Sequence, residues 1–403
     1  MTLAGIKSSV TCALVIFLTF GKTAWCQSFG TVTLPQSLAE TGVTVQRAST
    51  ATPKLNQWGE GPAVAQNGTL FFSEQNAGSI WKVSPTGTMT RLITIGNYSN
   101  GLDFNPVTRR LVVCEKAQIT ERDTATGAIQ KTITQDAANA WTQGGSGGSN
   151  DLTFASNGDL FFTCWTQHLY FHSNDGSIDK DWNFPASYGT CQWNGIEYIE
   201  EKGFIYACQY GKNRVVTFKV NSSTHLIDTG TMKQFGPTIY SPDGITVDSN
   251  YNVYVCNNSS QGTYPNSVVV LDSTGALIGS IKMTQASSSA AVNCVFGNSM
   301  FGGGPNPHTL YITGDSGAFK VQLKVAGRVR PGAIATLRRG IAPHGAVANT
   351  QPALRLFLGA SCLTDSKSAA VYNYGVLYNL MGRKNRWDGR IHNDVSSNVY
   401  ILR

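Results

Sequence analysis

Asn194-Gly195-Ile196, followed by Ile205-Tyr206-Ala207-Cys208, is the stretch whose reading decides the fold. A polar residue and a glycine open an apolar run, a turn follows, and a second apolar run ends in cysteine. The unit recurs. Glu60-Gly61-Pro62 precedes Leu70-Phe71-Phe72, Asn100-Gly101-Leu102 precedes Leu111-Val112-Val113-Cys114, and Asn150-Asp151-Leu152 precedes Leu160-Phe161-Phe162-Thr163-Cys164. Asp243-Gly244-Ile245 precedes Val253-Tyr254-Val255-Cys256, and Asn293-Cys294-Val295 precedes Leu310-Tyr311-Ile312. The opening residues lie 40, 50, 44, 49 and 50 positions apart. A period of this length built from short strands and turns marks the blade of a β-propeller. Asn67-Gly68, Asn157-Gly158 and Asp175-Gly176 supply turn chemistry between the runs. Helical periodicity is scarce before residue 325. The expectation is an all-β, six-bladed propeller whose six opening residues form a ring near one mouth of the channel.

The ends of the chain read differently. Lys7 precedes an apolar run from Val10 to Phe20, and Ala24-Trp25-Cys26 offers small residues at a cleavage site. This is the secretory pattern, and the run is too short to span a bilayer. A signal peptide over 1–26, a propeller over 27–328 and a basic extension of unknown structure over 329–403 are expected, in a secreted protein. The formal charge is +7, and residues 329–403 carry 10 Lys+Arg against 3 Asp+Glu. All of the excess therefore lies in the extension, where Arg338-Arg339 and Arg383-Lys384-Asn385-Arg386 cluster beside the apolar run Leu354–Leu358. The propeller is expected to bind no nucleic acid, and the extension's partner is unknown. At 41% hydrophobic and 14% charged, the chain is no disordered protein.

Secretion agrees with sequons at Asn67, Asn97, Asn221, Asn257 and Asn258, which make a glycoprotein. Nine cysteines are present, two of them in the signal segment, so the remaining seven cannot all pair within the chain. No C-x-x-C occurs, which argues against a zinc-finger framework. Counted from their opening residues, Cys114, Cys164, Cys208 and Cys256 occupy matching positions and read as small buried residues.

The ring of Glu60, Asn100, Asn150, Asn194, Asp243 and Asn293 is a set of oxygen donors, which hard cations prefer. Glu60 and Asp243 would balance a dication, and Asn150 and Asn194 would add neutral carbonyl oxygens. Asn-Gly and Asp-Gly also serve as plain turn residues. Six openers in one register are what raise them to a candidate metal site.

These residues resemble the gluconolactonase / senescence-marker-protein (regucalcin-like) family of six-bladed propellers, from about Trp58 to Gln322. The resemblance rests on Glu60-Gly61-Pro62, Asn150-Asp151, Trp193-Asn194-Gly195, Ser241-Pro242-Asp243-Gly244 and Asn293-Cys294-Val295-Phe296-Gly297. It implies that Glu60, Asn194 and Asp243 hold a catalytic divalent metal, with Asn150 beside metal and substrate and Asp151 following it in the motif. The metal is calcium by this reading, with zinc, magnesium or manganese as alternatives. The substrate is a small-molecule lactone of a sugar acid, or a related ester, opened to a hydroxy acid with Asp243 as general base or ligand to the attacking water. Some members carry an arginine two residues before the Asn-Asp pair. Here that residue is Gly148, so the guanidinium donor for sugar oxygens is absent. A paraoxonase-like esterase, a non-enzymatic calcium- or ligand-binding propeller and a strictosidine-synthase-like condensing enzyme are the other readings. Gly144-Gly145-Ser146-Gly147-Gly148 matches the serine-hydrolase pattern but lacks its α/β context. The histidines, His168, His172, His225, His308, His344 and His392, read as ordinary surface or core residues.

Overall fold

The computed structural model describes residues 28–50, 55, 58–96, 98–137, 141, 148–184, 191–284, 291–297 and 305–331, with two short strands beyond them. The expected signal segment, Asn97, Ser146 with most of its glycine loop, Cys362 and nearly all of the basic extension lie outside the described residues. The chain divides into two units, Met1–Ala342 and Pro343–Arg403. The second is described only as an antiparallel pair, His392–Asp394 with Val399–Ile401.

The first unit is all-β and propeller-like. It begins with β1 (Gly30–Thr33) and β2 (Thr44–Arg47). Four four-stranded antiparallel sheets follow. The first holds β3 (Gly59–Val64), β4 (Leu70–Glu74), β5 (Ser79–Val83) and β6 (Met89–Thr94). The second holds β7 (Ser99–Phe104), β8 (Leu111–Glu115), β9 (Gln118–Arg122) and β10 (Ile129–Gln135). The third holds β11 (Ser149–Phe154), β12 (Leu160–Cys164), β13 (His168–His172) and β14 (Asp179–Asn183). The fourth holds β15 (Trp193–Ile199), β16 (Phe204–Gln209), β17 (Arg214–Val220) and β18 (Ile227–Phe235).

The remaining strands are β19 (Pro242–Val247), β20 (Val253–Asn257), β21 (Ser267–Leu271), β22 (Leu277–Met283), β23 (Asn293–Phe296), β24 (Thr309–Gly314) and β25 (Gly317–Gln322). They join the N-terminal strands in one nine-stranded sheet, β19-β20-β21-β22-β1-β2-β25-β24-β23. The N-terminal hairpin closes the molecule: β1 pairs with β22, and β2 pairs with β25 through Gln46↔Lys320 and Arg47↔Phe319. Two otherwise bare sheet edges are thereby covered.

The first strands β3, β7, β11, β15, β19 and β23 each pack on the next, and β23 packs on β3, so they close a ring. Burial falls from the ring outward. Every residue of β3, β7, β11, β15 and β19 is buried, whereas β6, β10 and β14 face water. Inner strands covered on both faces need no polar alternation, which explains runs such as Leu160-Phe161-Phe162. The core lies as layers between neighbouring sheets. Phe161 and Phe171 of the third meet Trp193, Ile196, Tyr198 and Phe218 of the fourth. Ala63, Phe71 and Ile80 of the first meet Leu102, Phe104, Leu111 and Val113 of the second.

The opening Asn-Gly and Asp-Gly pairs lie in first strands and are not plain turns. They lie at strand irregularities, Glu60/Ala63, Ser99/Leu102, Trp193/Ile196 and Pro242/Ile245, with the same break at Ser149/Leu152. A β-bulge at one position in successive first strands re-aims the opening side chain. The glycines are there because the neighbouring strand is close. A Cβ on Gly195 would lie 2.3 Å from the Asp243 carbonyl oxygen, and one on Gly244 would lie 2.0 Å from Asn293 Oδ1. One detail of the sequence reading changes, at Cys164. It pairs with Ser149 as Glu115 pairs with Ser99, so it stands one position beyond the register of Cys114. Counting from the opening residue missed this because the turn between β11 and β12 is one residue shorter. All six described cysteines are buried.

Candidate functional site

Five of the six opening residues, all but Asn293, lie at a bulge, and two are also held by a contact from the sheet before them. Ser73 Oγ donates to the carbonyl oxygen of Asn100 at 2.6 Å, and Thr163 Oγ1 donates to that of Asn194 at 2.7 Å. Glu60, Asn100, Asn150, Asn194, Asp243 and Asn293 are all buried. Glu60 accepts from the Gly61 N–H at 3.2 Å. Asp243 Oδ2 accepts from Asn258 Nδ2 at 2.7 Å. Asp151 accepts from the Leu152 N–H at 2.9 Å and sits against Gly101, where a Cβ would lie 2.6 Å from its Oδ1.

The electrostatics tie three acids together. Burial, then the charges of Asp243 and Asp151, push the Glu60 carboxyl well above its ordinary range. Burial also raises Asp243, with Asp151 adding to the effect while the Asn258 and Asn194 side chains oppose it. Burial raises Asp151 to about 7, helped by Asp103 and opposed by hydrogen bonds from Leu152 and Asn293. Asn293 favours the charged forms of both Glu60 and Asp151. It thus steadies carboxylates, and its own Oδ1 is taken by the Cys294 N–H at 2.7 Å.

Other oxygens of the ring are unclaimed. Among the described residues, Oδ1 of Asn100, Asn150, Asn194, Asp243 and Asn258 is buried without a hydrogen-bond partner. A buried acceptor without a partner is costly, and several in one small site point to something that supplies positive charge or donors. Among the described residues no three His, Cys, Asp or Glu side chains could hold a metal on their own. A cation here would need the amide oxygens as well, and an all-oxygen set of carboxylates and amides suits calcium-like ions. On that chemistry Glu60, Asn150, Asn194 and Asp243 fit the group.

Beneath the ring the first strands enclose a cavity of ≈ 20 Å³ lined by Asp103, Asp151, Glu197, Thr246, Asn293 and Arg330 among others. Arg330 enters it. Its guanidinium pairs with Asp103, and with Glu197 at 3.2 Å. Burial alone would weaken this cation, but the two carboxylates overcome burial and hold it charged. Arg328 pairs with Glu197 at 2.9 Å and Glu201 at 2.8 Å. Arg330 falls in the expected basic extension, and Arg328 is the last residue of the expected propeller. Both are buried in the propeller body, so the body runs at least two residues past the expected boundary.

Sequence reasoning also passed over Asn258 and Tyr98. Asn258 was read as a glycosylation sequon, yet it bonds Asp243. Asn257, another sequon, is buried with its amide on the Tyr264 carbonyl, whereas Asn67 and Asn221 are exposed. The signal that could have found Asn258 was its place two residues beyond Cys256, just past the end of β20. The histidines on outer strands pair with carboxylates: His168 with Asp181 at 2.8 Å and His172 with Asp179 at 2.6 Å. A larger cavity of ≈ 270 Å³, near Thr44, Gln46, Ser84, Asn306 and Lys320, has no carboxylate or thiol in its lining.

A propeller-like body with a buried carboxylate and amide ring at its axis is the class that fold and site define. The chain belongs to the family described as SMP-30/Gluconolactonase/LRE-like region, whose model matches residues 58–316. Solved structures agree on the fold. A gluconolactonase from Xanthomonas campestris is 20% identical, with a TM-score of 0.58 over 74% of this chain and 95% of that one. A luciferin-regenerating enzyme is 18% identical, with a TM-score of 0.54 over 72% and 100%. A calcium-binding protein, regucalcin, from Agrobacterium tumefaciens is 16% identical, with a TM-score of 0.55 over 72% and 97%. No curated protein sequence matches the chain.

Proposed function

We propose that the protein is an exported, six-bladed, divalent-metal-dependent hydrolase that opens lactones or related esters to hydroxy acids. One observation carries the reading. Buried, unclaimed oxygens of Asn150, Asn194 and Asp243 stand with the Glu60 carboxyl in one repeat register around the axis. Glu60, Asn150, Asn194 and Asp243 would hold the cation, with calcium the best match to the donors. The chemistry such a cation supplies when bound is polarisation of the acyl carbonyl.

The rest falls to the chain. Asp243, aligned by Asn258, takes the proton of the attacking water. Asn150 and Asp151 orient the substrate, with Asp151 held by the Leu152 N–H. The buried walls exclude bulk water and strengthen each polar contact. Gly148 packs near the Lys116 carbonyl, where a Cβ would lie 2.9 Å away. The guanidinium that would grip a sugar's hydroxyls is therefore missing. Lactones with fewer hydroxyls are the favoured substrates.

The test is acid release from a lactone panel by protein of measured metal content. Acid release that requires the cation supports the proposal. Bound cation with no turnover on any lactone would instead make the protein a calcium-binding propeller.

A further inference from the structure

Tyr98 stands one residue before β7 and is half-buried. Its hydroxyl oxygen accepts two hydrogen bonds, from Asn100 Nδ2 at 2.8 Å and from Gln75 Nε2 at 3.0 Å. A phenol has two acceptor positions and one O–H. Both acceptor positions are filled, and among the described residues the O–H has no acceptor. Such a hydroxyl is arranged to give a proton, since two N–H groups already point at the oxygen and would stabilise the phenolate left behind. It also stands at the ring. Asn100 is a ring member, and after burial the charge of Glu60 is the next cause holding the Tyr98 phenol above its ordinary range, with Asp243 contributing. A phenol is protonated at neutral pH, so Tyr98 has a proton to give.

We propose that Tyr98 is a catalytic residue that protonates the departing oxygen of the lactone ring. The inference rests on the lactone-hydrolase reading. The water oxygen bonds to the acyl carbon, and the bond from that carbon to the ring oxygen breaks. Its electron pair stays on the ring oxygen, which takes the Tyr98 proton. The phenolate recovers the proton that the water gave up. One water is consumed and one hydroxy acid is formed.

The need for this proton depends on the leaving group. An aliphatic alkoxide is a poor leaving group without it, whereas a phenolate leaves readily. The test compares Tyr98→Phe with the unaltered protein on δ-valerolactone, which expels an alkoxide, and on dihydrocoumarin, which expels a phenolate. The expected result is a fall in kcat of about 100-fold on δ-valerolactone with KM little changed. On dihydrocoumarin the expected fall is less than about threefold, because general-acid help is small there. Equal losses on both would mean that Tyr98 only holds Asn100 and Gln75, and would overturn the proposal, as would no loss on either. If the unaltered protein hydrolyses neither lactone, the functional reading itself fails and takes this one with it. Should the Phe variant fold poorly, 3-fluorotyrosine at position 98 carries the same comparison, since a change confined to δ-valerolactone is again required.

Discussion

Glu60 and Asp243 show how burial and function pull in opposite directions at one residue. Each carboxyl is buried, raised in pKa, and close to another acid. In metal-free protein at neutral pH, ionising either one costs stability. Glu60→Gln and Asp243→Asn keep the shape and remove the charge. Both variants should therefore melt no lower than the parent when metal-free at pH 8, by calorimetry. Both should lose metal-dependent acid release by about 100-fold or more. A variant that loses activity by unfolding would instead melt lower. The two acids were legible in the sequence because each opens a repeat copy. Asn258 and Tyr98 were not, since each gains its role from a partner that only folding brings near. Asn258 meets Asp243 across β19 and β20, and Tyr98 meets Gln75 across neighbouring sheets.

At the scale of elements, two segments outside the repeats complete the body. The N-terminal hairpin joins β22 to β25, and neither β1 nor β2 carries a repeat motif that would reveal this. The segment Arg328-Val329-Arg330 brings two cations to acids on β7 and β15. Its ion pairs cross 227 residues to Asp103 and 131 residues to Glu197. A composition count places Arg330 with a basic tail, because charge in a sequence carries no information about distant partners. Arg330→Met should leave Asp103 buried without its partner and cost about 3–5 kcal/mol at pH 8, read from the denaturation midpoint. The cost should shrink below pH 6. Burial already raises Asp103 to about 6 despite Arg330, so below that pH the carboxyl is neutral in the parent as well.

For the whole molecule, the buried acids set a pH dependence. Asp103 is raised to about 6 and Asp151 to about 7, and Glu60 and Asp243 are raised too. The folded chain keeps these protons at pH values where the unfolded chain has released them, above about 4. Stability must then fall as pH rises from about 4 through 7. Chelated protein should accordingly melt higher at pH 5 than at pH 8. Added calcium should restore most of the loss at pH 8, because it favours the ionised acids of the ring. No fall between pH 5 and 8 in chelated protein would contradict the burial of these acids. The architecture was readable from the sequence because its repeat is local: one polar opener, two apolar runs and a turn, six times. The axial acids below the ring were not, because Asp103 and Glu197 lie within first strands and look like ordinary solvent-facing positions until the ring closes around them.

The central claim is that a cation held by ring oxygens makes this propeller a lactone hydrolase. Acid release from δ-valerolactone, followed at constant pH before chelation, after chelation and after return of calcium, tests it most directly. The account predicts turnover that falls about 100-fold or more on chelation and returns with the cation. Turnover that persists unchanged in metal-free protein, or no acid release from the metal-loaded protein, would contradict it.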